Sequence, residues 1–521
     1  MTDPMDIDAL LDDPKPKVRP QPPPETAIVE RDPPWSWHHI VLLAAITLLA
    51  GMLRLYKLDQ WSFWIDEVHT LRDAVLKSPD QFWGSPTSRY PVGYLLLRWI
   101  QPLLPGSAEG SYRLLFAFFG IASVPLLAVF VRRLLGTGPG LVAGLFLALS
   151  PWHLYWSQNC RVYTVLLFLA LAGFMAFWIG TEKGSGLWFV IADLMLVLAA
   201  ASHPCAVLIL PAFFVYLALL RTRIVEWPSR LGKRALMWFL IPIALASGLA
   251  ITTVTKAWLS YEGAKSGWSL PHLMNTTVYF VRLPILGASL IGVILLWQRS
   301  RRTCLFLAGM LVLPTIGVGI ASLWVRATAQ YLFFTLPIWC ALAGFGMWAL
   351  AERAAFGMQR SKLVLQGLLI SLVVFDLAAQ DHLYFHYRYG DRPRWRDAAN
   401  YIEHSGSPQD IVASTNTPCL EWYLNPAMPM GMIPDSLDSN RIAVKLLAKW
   451  TLDDVKGWQR QAGENRSRVW IVVTEPELYE MNPRRDWDVW LRENFRQVRR
   501  FANWAGPKDM TVLVYLYEPT D

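Results

Sequence analysis

Charge is what this chain of 521 residues lacks. Asp, Glu, Lys and Arg make up 17% of it, against roughly 25% in an average soluble domain. That deficit excludes an ordinary globular protein, and 54% hydrophobic residues with 26 tryptophans point to segments that never meet water. Cysteine is scarce as well. Cys160, Cys205, Cys304, Cys340 and Cys419 stand singly, with no CxxC pair and no zinc-like spacing, so neither a disulfide framework nor a cysteine metal centre is expected. No internal repeat of fixed period is present, which removes direct sequence support for a repeat-built transporter. A cleavable leader is not expected either: the first apolar run begins only at Ile40, after a long polar lead without a small-residue cleavage pattern.

What is present is a series of apolar runs of about 15 to 21 residues, each long enough for a tilted helix across a bilayer of roughly 30 Å. Residues 40–56 form a signal anchor. Further spans are expected at 112–131, 138–155, 162–179, 187–202, 204–220, 235–253, 277–297, 304–324, 331–350 and 363–379, about eleven in all. Residues 90–104 are short and hold Arg98 and Pro102, and are read as a helix lying in the interface. A net charge of +8 says less than its placement. With eleven spans and the N-terminus inside, Arg132 and Arg133, the Arg and Lys residues of 221–234, Arg299 to Arg302, and Arg353 to Lys362 all fall on the cytoplasmic side. An extra span at 90–104 would turn those loops outward, against that tendency.

The fold class expected is therefore a polytopic α-helical membrane protein. Residues 1–38, rich in proline and alternating charge, form a disordered cytoplasmic tail. Residues 39–380 form the membrane domain, with a large first external loop at 57–111. Residues 381–521 form a small external α/β domain, signalled by strand-like runs at 410–414, 469–473 and 511–517 between helical patterns.

Chemistry is expected first in that external loop. Trp61-Ser62-Phe63-Trp64-Ile65-Asp66-Glu67-Val68-His69 places two carboxylates and an imidazole among three large rings beside a membrane surface. Burial among rings would raise a carboxylate's pKa and make it a better base. The bland alternative is that Asp66 caps a helix starting at Glu67 while the tryptophans form an interfacial belt. Adjacent carboxylates point to different faces, so Asp66 and Glu67 suit one base and one helper better than an opposed glycosidase pair. That division fits group transfer from a donor whose leaving group is a stable anion, such as phosphate. Arg89, Arg161 and Arg326 share the outer side and could fork onto phosphate oxygens, or merely snorkel to lipid headgroups.

The motif order resembles the GT-C class of membrane glycosyltransferases, in the protein mannosyltransferase, aminoarabinose transferase and RgtABCD-like families. Trp64-Ile65-Asp66-Glu67 matches their first-loop Asp-Glu, and Tyr90-Pro91-Val92-Gly93-Tyr94-Leu95-Leu96 loosely matches an HPPLYYLL-like segment, without its His and one Pro. Tyr112-Arg113-Leu114-Leu115-Phe116 matches a helix start. Ser150-Pro151, Ser157-Gln158, Arg161 and Tyr163 reproduce an SP-x-x-x-x-x-SQ-x-x-R-x-Y pattern, followed by His203. Gln330-Tyr331 stands where those families often have Arg-Tyr, with Arg326 one turn earlier.

The resemblance covers Leu53 to about Leu350 and implies an inverting transfer of a sugar from a polyprenyl-phosphate donor to an acceptor hydroxyl or amine at the outer face of a plasma (inner) membrane. It implies Asp66 as base, Glu67 as helper, and Arg89, Tyr94, Arg161, Tyr163, His203, Arg326 and Tyr331 as donor or substrate contacts. The acceptor would be a glycolipid, a protein or a cell-wall polymer, and no nucleic acid is implied. No metal ligand set is assigned, and a divalent metal requirement stays open. His382 and His386, at i,i+4 spacing, have no obvious third ligand. The competing expectation is a transporter or flippase of a lipid-linked sugar, argued from Asp193 inside a span; Asp376 lies inside another.

Overall fold

The structure, a computed structural model, describes residues 34–104, 109–222, 224–225, 227–260, 269–324, 327–355, 357–424, 444–446, 451–481, 486–505 and 508–519. The tail expected at 1–38 lies outside the described residues up to residue 33, and Arg326 lies outside them too.

Among the described residues six helices are long and apolar enough to cross a membrane: Trp37–Leu55, Glu109–Leu135, Tyr163–Lys183, Arg301–Ala321, Ala329–Ala354 and Gln359–His386. Their length and composition make the chain an integral membrane protein. A seventh span is counted if Leu270–Val281 and Leu283–Arg299 are joined, although they bend by 91°. Arg282 makes that bend, with φ 77° and ψ 139°. The remaining apolar runs are shorter or broken helices. The run at 138–155 divides into Thr137–Ala148 and Pro151–Ser157. There Pro151 takes the first helical position and the Ser150 hydroxyl accepts the His153 N–H at 3.4 Å. Gly186–Ala200 has 15 residues, and the run at 204–220 opens with a 3₁₀ stretch, Pro204–Ile209. Val92–Ile100 has nine residues, about 14 Å of helix, too short for the hydrocarbon core.

The long helices share a polarity. Arg113, Tyr163 and Tyr384 gather at one end of the bundle, while Arg133, Lys183 and Lys362 lie 20 to 22 positions along the same helices, about 30 Å away. Backbones approach closely where Leu283–Arg299 crosses Leu336–Ala354. A Cβ on Gly292 would stand 2.0 Å from the Leu342 carbonyl oxygen, so only glycine fits there.

Beyond the last long helix the chain builds a five-stranded sheet in the order Val444–Leu446, Ile411–Ser414, Val469–Thr474, Val512–Tyr517, Arg496–Phe501. The first two pairings are parallel and the last two antiparallel. Both faces of the central strand Val469–Thr474 are covered. Val469, Ile471 and Val473 pack against Val455, Trp458 and Leu491. Trp470 and Val472 face the other way, joining Trp395, Ala398 and Ile402 in the core that continues into the membrane helices. The sheet is thus mounted on the bundle through the helix Trp395–Ser405. Two further ties run to the first loop: the Phe63 N–H donates to the Tyr423 hydroxyl at 2.7 Å, and Glu109 accepts from Tyr423 at 2.9 Å and from Arg396 at 3.0 Å.

Candidate active site

The first loop turns into the helix Ile65–Leu71 at Trp64, which has extended backbone. Glu67 takes the third helical position and reaches back to the Trp64 N–H at 3.4 Å, which aids the turn. Its carboxylate is fully buried. Arg113 grips it with two parallel bonds of 2.8 Å, Arg392 adds a third at 3.3 Å, and the Cys160 N–H donates at 2.8 Å. Burial alone would raise the pKa of Glu67; the Arg113 and Arg392 guanidiniums outweigh it and hold the group below the usual carboxylate range.

The two arginines do more than neutralise Glu67. Arg113 also donates to the carbonyls of Leu58, Trp61 and Ser62, fixing the path of the loop. Arg392 donates to the Gln158 carbonyl at 2.6 Å and to the Tyr384 hydroxyl at 3.3 Å. It is presented by three successive residues with left-handed backbone, Tyr389, Gly390 and Asp391. A Cβ at Gly390 would also meet the Trp61 ring at 2.7 Å. The Gln158 side-chain amide donates to the carbonyls of Leu53, Arg54 and Tyr56 and accepts from the Trp61 indole and the Tyr384 hydroxyl. Glu67 is therefore a buried anchor, and the expectation that burial lifts a loop carboxylate toward neutrality meets the opposite shift.

Asp66 is placed differently. Its side chain keeps 34% of its surface open, and the nearest cation is Arg161, 3.7 Å from its carboxylate. Arg161 also bonds the Thr70 hydroxyl at 3.1 Å, and Thr70 donates to the Asp66 carbonyl at 2.9 Å. Tyr94, on the short helix Val92–Ile100, hydrogen-bonds Thr70, and burial pushes its phenol up. The Tyr163 ring lies 4.1 Å from the Trp156 ring and 5.1 Å from His203, and His203 lies 6.3 Å from Tyr331. Burial and the Arg161 charge push His203 down to about 3, so its ring is neutral. Its Nδ1 accepts the Cys205 N–H, leaving Nε2 to carry the proton. Asp66, Tyr94, Arg161, Tyr163, His203 and Tyr331 thus form one constellation at the end of the bundle that carries Arg113 and Tyr384. Arg89 closes a short turn, Pro86–Arg89, with no ion-pair partner among the described residues.

Chemically this pairs a reachable carboxylate that can accept a proton with a fixed guanidinium and a neutral imidazole that can hold an anion. Sequence reasoning assigned no role to Arg113, Gln158 or Arg392. The first two stood inside quoted motifs. Arg392 carried no local signal, and only the need of a buried carboxylate for cations pointed to it.

The other candidates separate cleanly. Asp376 forms a two-point pair with Arg282, at 2.8 and 3.1 Å. Asp193 is 5% exposed and neither carboxylate oxygen has a partner among the described residues. The His382 and His386 rings lie 4.6 Å apart on one helix face, and no three His, Cys, Asp or Glu converge among the described residues.

The family of dolichyl-phosphate-mannose-protein mannosyltransferases matches residues 88–256, a stretch that includes Arg89, Tyr94, Arg161, Tyr163 and His203 but not Asp66. No curated protein matches the sequence. Among solved structures the chain is similar to ArnT from Cupriavidus metallidurans in the apo state, with 14% identity over 92% of this chain and 99% of that one and a TM-score of 0.54. The same protein bound to undecaprenyl phosphate superposes with a TM-score of 0.52, at the same identity and coverage. The archaeal oligosaccharyltransferase AglB from Archaeoglobus fulgidus, in complex with an inhibitory peptide and a dolichol-phosphate, gives a TM-score of 0.56 at 11% identity, over 89% of this chain and 73% of that one. At these identities the likeness establishes the fold, and the chain has the fold of the GT-C class of membrane glycosyltransferases.

Proposed function

We propose that this protein transfers a sugar from a polyprenyl-phosphate donor to an acceptor hydroxyl or amine at the outer face of a plasma (inner) membrane, with inversion at the anomeric carbon. The observation that carries this is the contrast at the start of the loop helix: Glu67 is locked by two arginines, while Asp66 beside it stays accessible, 3.7 Å from Arg161. Asp66 takes the acceptor proton as the acceptor attacks C1. The C1–O bond to phosphate breaks, and Arg161 holds the departing polyprenyl phosphate, whose own charge makes a general acid unnecessary. With Glu67 locked, the neighbouring carboxylate is no nucleophile, which favours single displacement and hence inversion. Tyr94, Tyr163, His203 and Tyr331 line the site, with Arg89 and Arg326 as further donor-phosphate contacts.

The lipid phosphates bound by ArnT and AglB support this donor class, and a lipid donor explains why the site sits at the end of a helical bundle. The proposal places the N-terminus in the cytoplasm, the membrane domain at 39–380 and the 381–521 unit outside, with the basic helix ends inward. Incorporation of radiolabelled sugar from a panel of polyprenyl-phosphate donors into membranes, compared with Asp66→Asn at equal expression, tests it. Full turnover by the variant removes Asp66 as the base. A second function, transport of a lipid-linked sugar, has one observation in its favour: the unpaired, buried Asp193 carboxylate. Transport requires Asp193→Asn to abolish activity and Asp66→Asn to leave it intact, the reverse of transfer.

A further inference from the structure

Of the six long helices, Trp37–Leu55 and Gln359–His386 are the least covered: 11% and 17% of their most apolar stretches are buried, against 83% in Tyr163–Lys183. Their exposed flanks, with Met52 and Leu55 on one and Leu372 and Phe375 on the other, face lipid. The two helices meet at one end. There the Tyr56 and Phe385 rings lie 5.1 Å apart, and the Lys57 ammonium donates to the Phe385 carbonyl at 3.2 Å. At this junction an open recess of about 440 Å³ separates the helix ends from the sheet unit. The first loop and the helix ends supply Lys57, Trp61 and His386 to its lining, and the start of the sheet unit supplies Arg394, Arg396 and Asp397.

Helix length fixes the level of the recess. Trp37–Leu55 has 19 residues, about 28 Å of helix, which matches the hydrocarbon core of roughly 30 Å and leaves Lys57 just beyond it. Gln359–His386 has 28 residues, about 42 Å, so its last turn beside Lys57 stands at headgroup level. Charge then narrows the occupant. Arg394 is paired with Asp397 at 2.5 Å and Arg396 with Glu109 at 3.0 Å, whereas Lys57 has no carboxylate partner among the described residues. Lys57 is held in place by left-handed backbone, φ 56°, and by the Tyr56 and Trp61 rings, 5.4 and 5.9 Å from its ammonium. Two of its three N–H groups are left for a ligand. One uncompensated cation matches one phosphodiester.

We infer that this recess is the headgroup site of a membrane phospholipid of net negative charge, with its phosphodiester on Lys57 and its chains along the exposed flanks of Trp37–Leu55 and Gln359–His386. A zwitterionic headgroup brings an ammonium of its own beside Lys57, Arg394 and Arg396; a headgroup ending in hydroxyls does not. None of the residues assigned to transfer lines the recess, so the site stands or falls without that reaction. A headgroup there touches the bundle, the first loop and the sheet unit together, and binding stabilises their assembly.

The test uses the purified full chain in vesicles of phosphatidylcholine, with or without phosphatidylglycerol, which carries the same phosphate and no amine. Phosphatidylglycerol is expected to raise the thermal midpoint and to stay on the protein through extraction into neutral detergent, read by native mass spectrometry. Lys57→Asn removes the charge while keeping a residue that tolerates left-handed backbone, and lowers that retention about tenfold. Asp397→Asn, which frees Arg394 from its carboxylate, acts in the opposite direction and strengthens retention, a sign that structural damage does not produce. Lys183→Asn, at the other end of the bundle, leaves retention unchanged. Retention that falls equally in Lys57→Asn and Lys183→Asn reports general headgroup contact of basic residues and overturns the site. So does the absence of any rise with phosphatidylglycerol, an equal rise from inorganic phosphate in phosphatidylcholine vesicles, or displacement of the retained lipid by bare polyprenyl phosphate.

Discussion

Asp66 and Glu67 are neighbours in the chain and live in opposite surroundings. Around Glu67 every strong donor is engaged: two arginines, a backbone N–H and, at one remove, the amide of Gln158 close a network with no room for a ligand. Around Asp66 one cation stands at 3.7 Å, and donors in the adjoining turn are left without acceptors. One region holds its polar groups for the fold and the other withholds them from it. A rigid, satisfied support beside an unsatisfied face is what positions a reacting group without occupying it.

The comparison breaks most sharply at Arg113. Arg113→Ala strips a buried carboxylate of its two-point partner and three carbonyls of their donor, and should cost about 3–5 kcal/mol of stability, read as loss of folded protein in detergent extracts. Glu67→Gln should destabilise by a similar route, because Arg392 and Arg113 then face each other uncompensated. Asp66→Asn should do the reverse. Turnover falls by about 10²–10⁴-fold, while the thermal midpoint stays within the change expected of an accessible polar substitution, about 0.5 kcal/mol. If Asp66→Asn unfolds the protein, the division between anchor and base fails.

pH sharpens the contrast with a smaller effect. The folded pKa of Glu67 lies below its ordinary value of 4.5, so the stability its ion pairs supply is fully present above that pH and is lost as pH falls through the folded pKa. Asp391 acts in the other direction. Burial pushes it up to about 6 against the pull of Arg388 and Arg392, so it costs stability when ionised and relieves that cost as pH falls from about 6 toward 4. A melting series should therefore rise slightly below pH 6 and drop below about 4.5, and Asp391→Asn should remove the rise while keeping the drop. The smallest effect is expected at Asp193→Asn, which removes no bond and should leave transfer unchanged.

The sequence made the membrane class legible because apolar length is local information: the run at 112–131 lies within one helix, and those at 162–179 and 304–324 match single helices to within one and three residues. It could not distinguish a straight span from a bent or divided one. The run at 138–155 breaks at Ser150-Pro151, and the one at 277–297 turns by 91° at Arg282, because hydrophobicity is the same on both sides of a bend. In the site, local motifs carried Asp66, Arg161 and Tyr163, which lie close together in sequence or inside one pattern. The split of roles between Asp66 and Glu67 was not legible. It depends on which carboxylate meets Arg113 and Arg392, and those contacts cross 46 and 325 positions of chain.

That last separation has a consequence for how the protein is made. Translation proceeds at about 5–20 residues per second, so Arg392 emerges about 15–65 seconds after Glu67. Through that interval the first loop has Arg113 alone, and the Gln158 carbonyl waits for its donor. The loop therefore reaches its final form only once the last long helix is in the membrane and the left-handed turn at 389–391 has delivered Arg392. A nascent chain stalled or cleaved before that turn would hold all its long helices yet lack the second guanidinium on Glu67 and the donor to the Gln158 carbonyl.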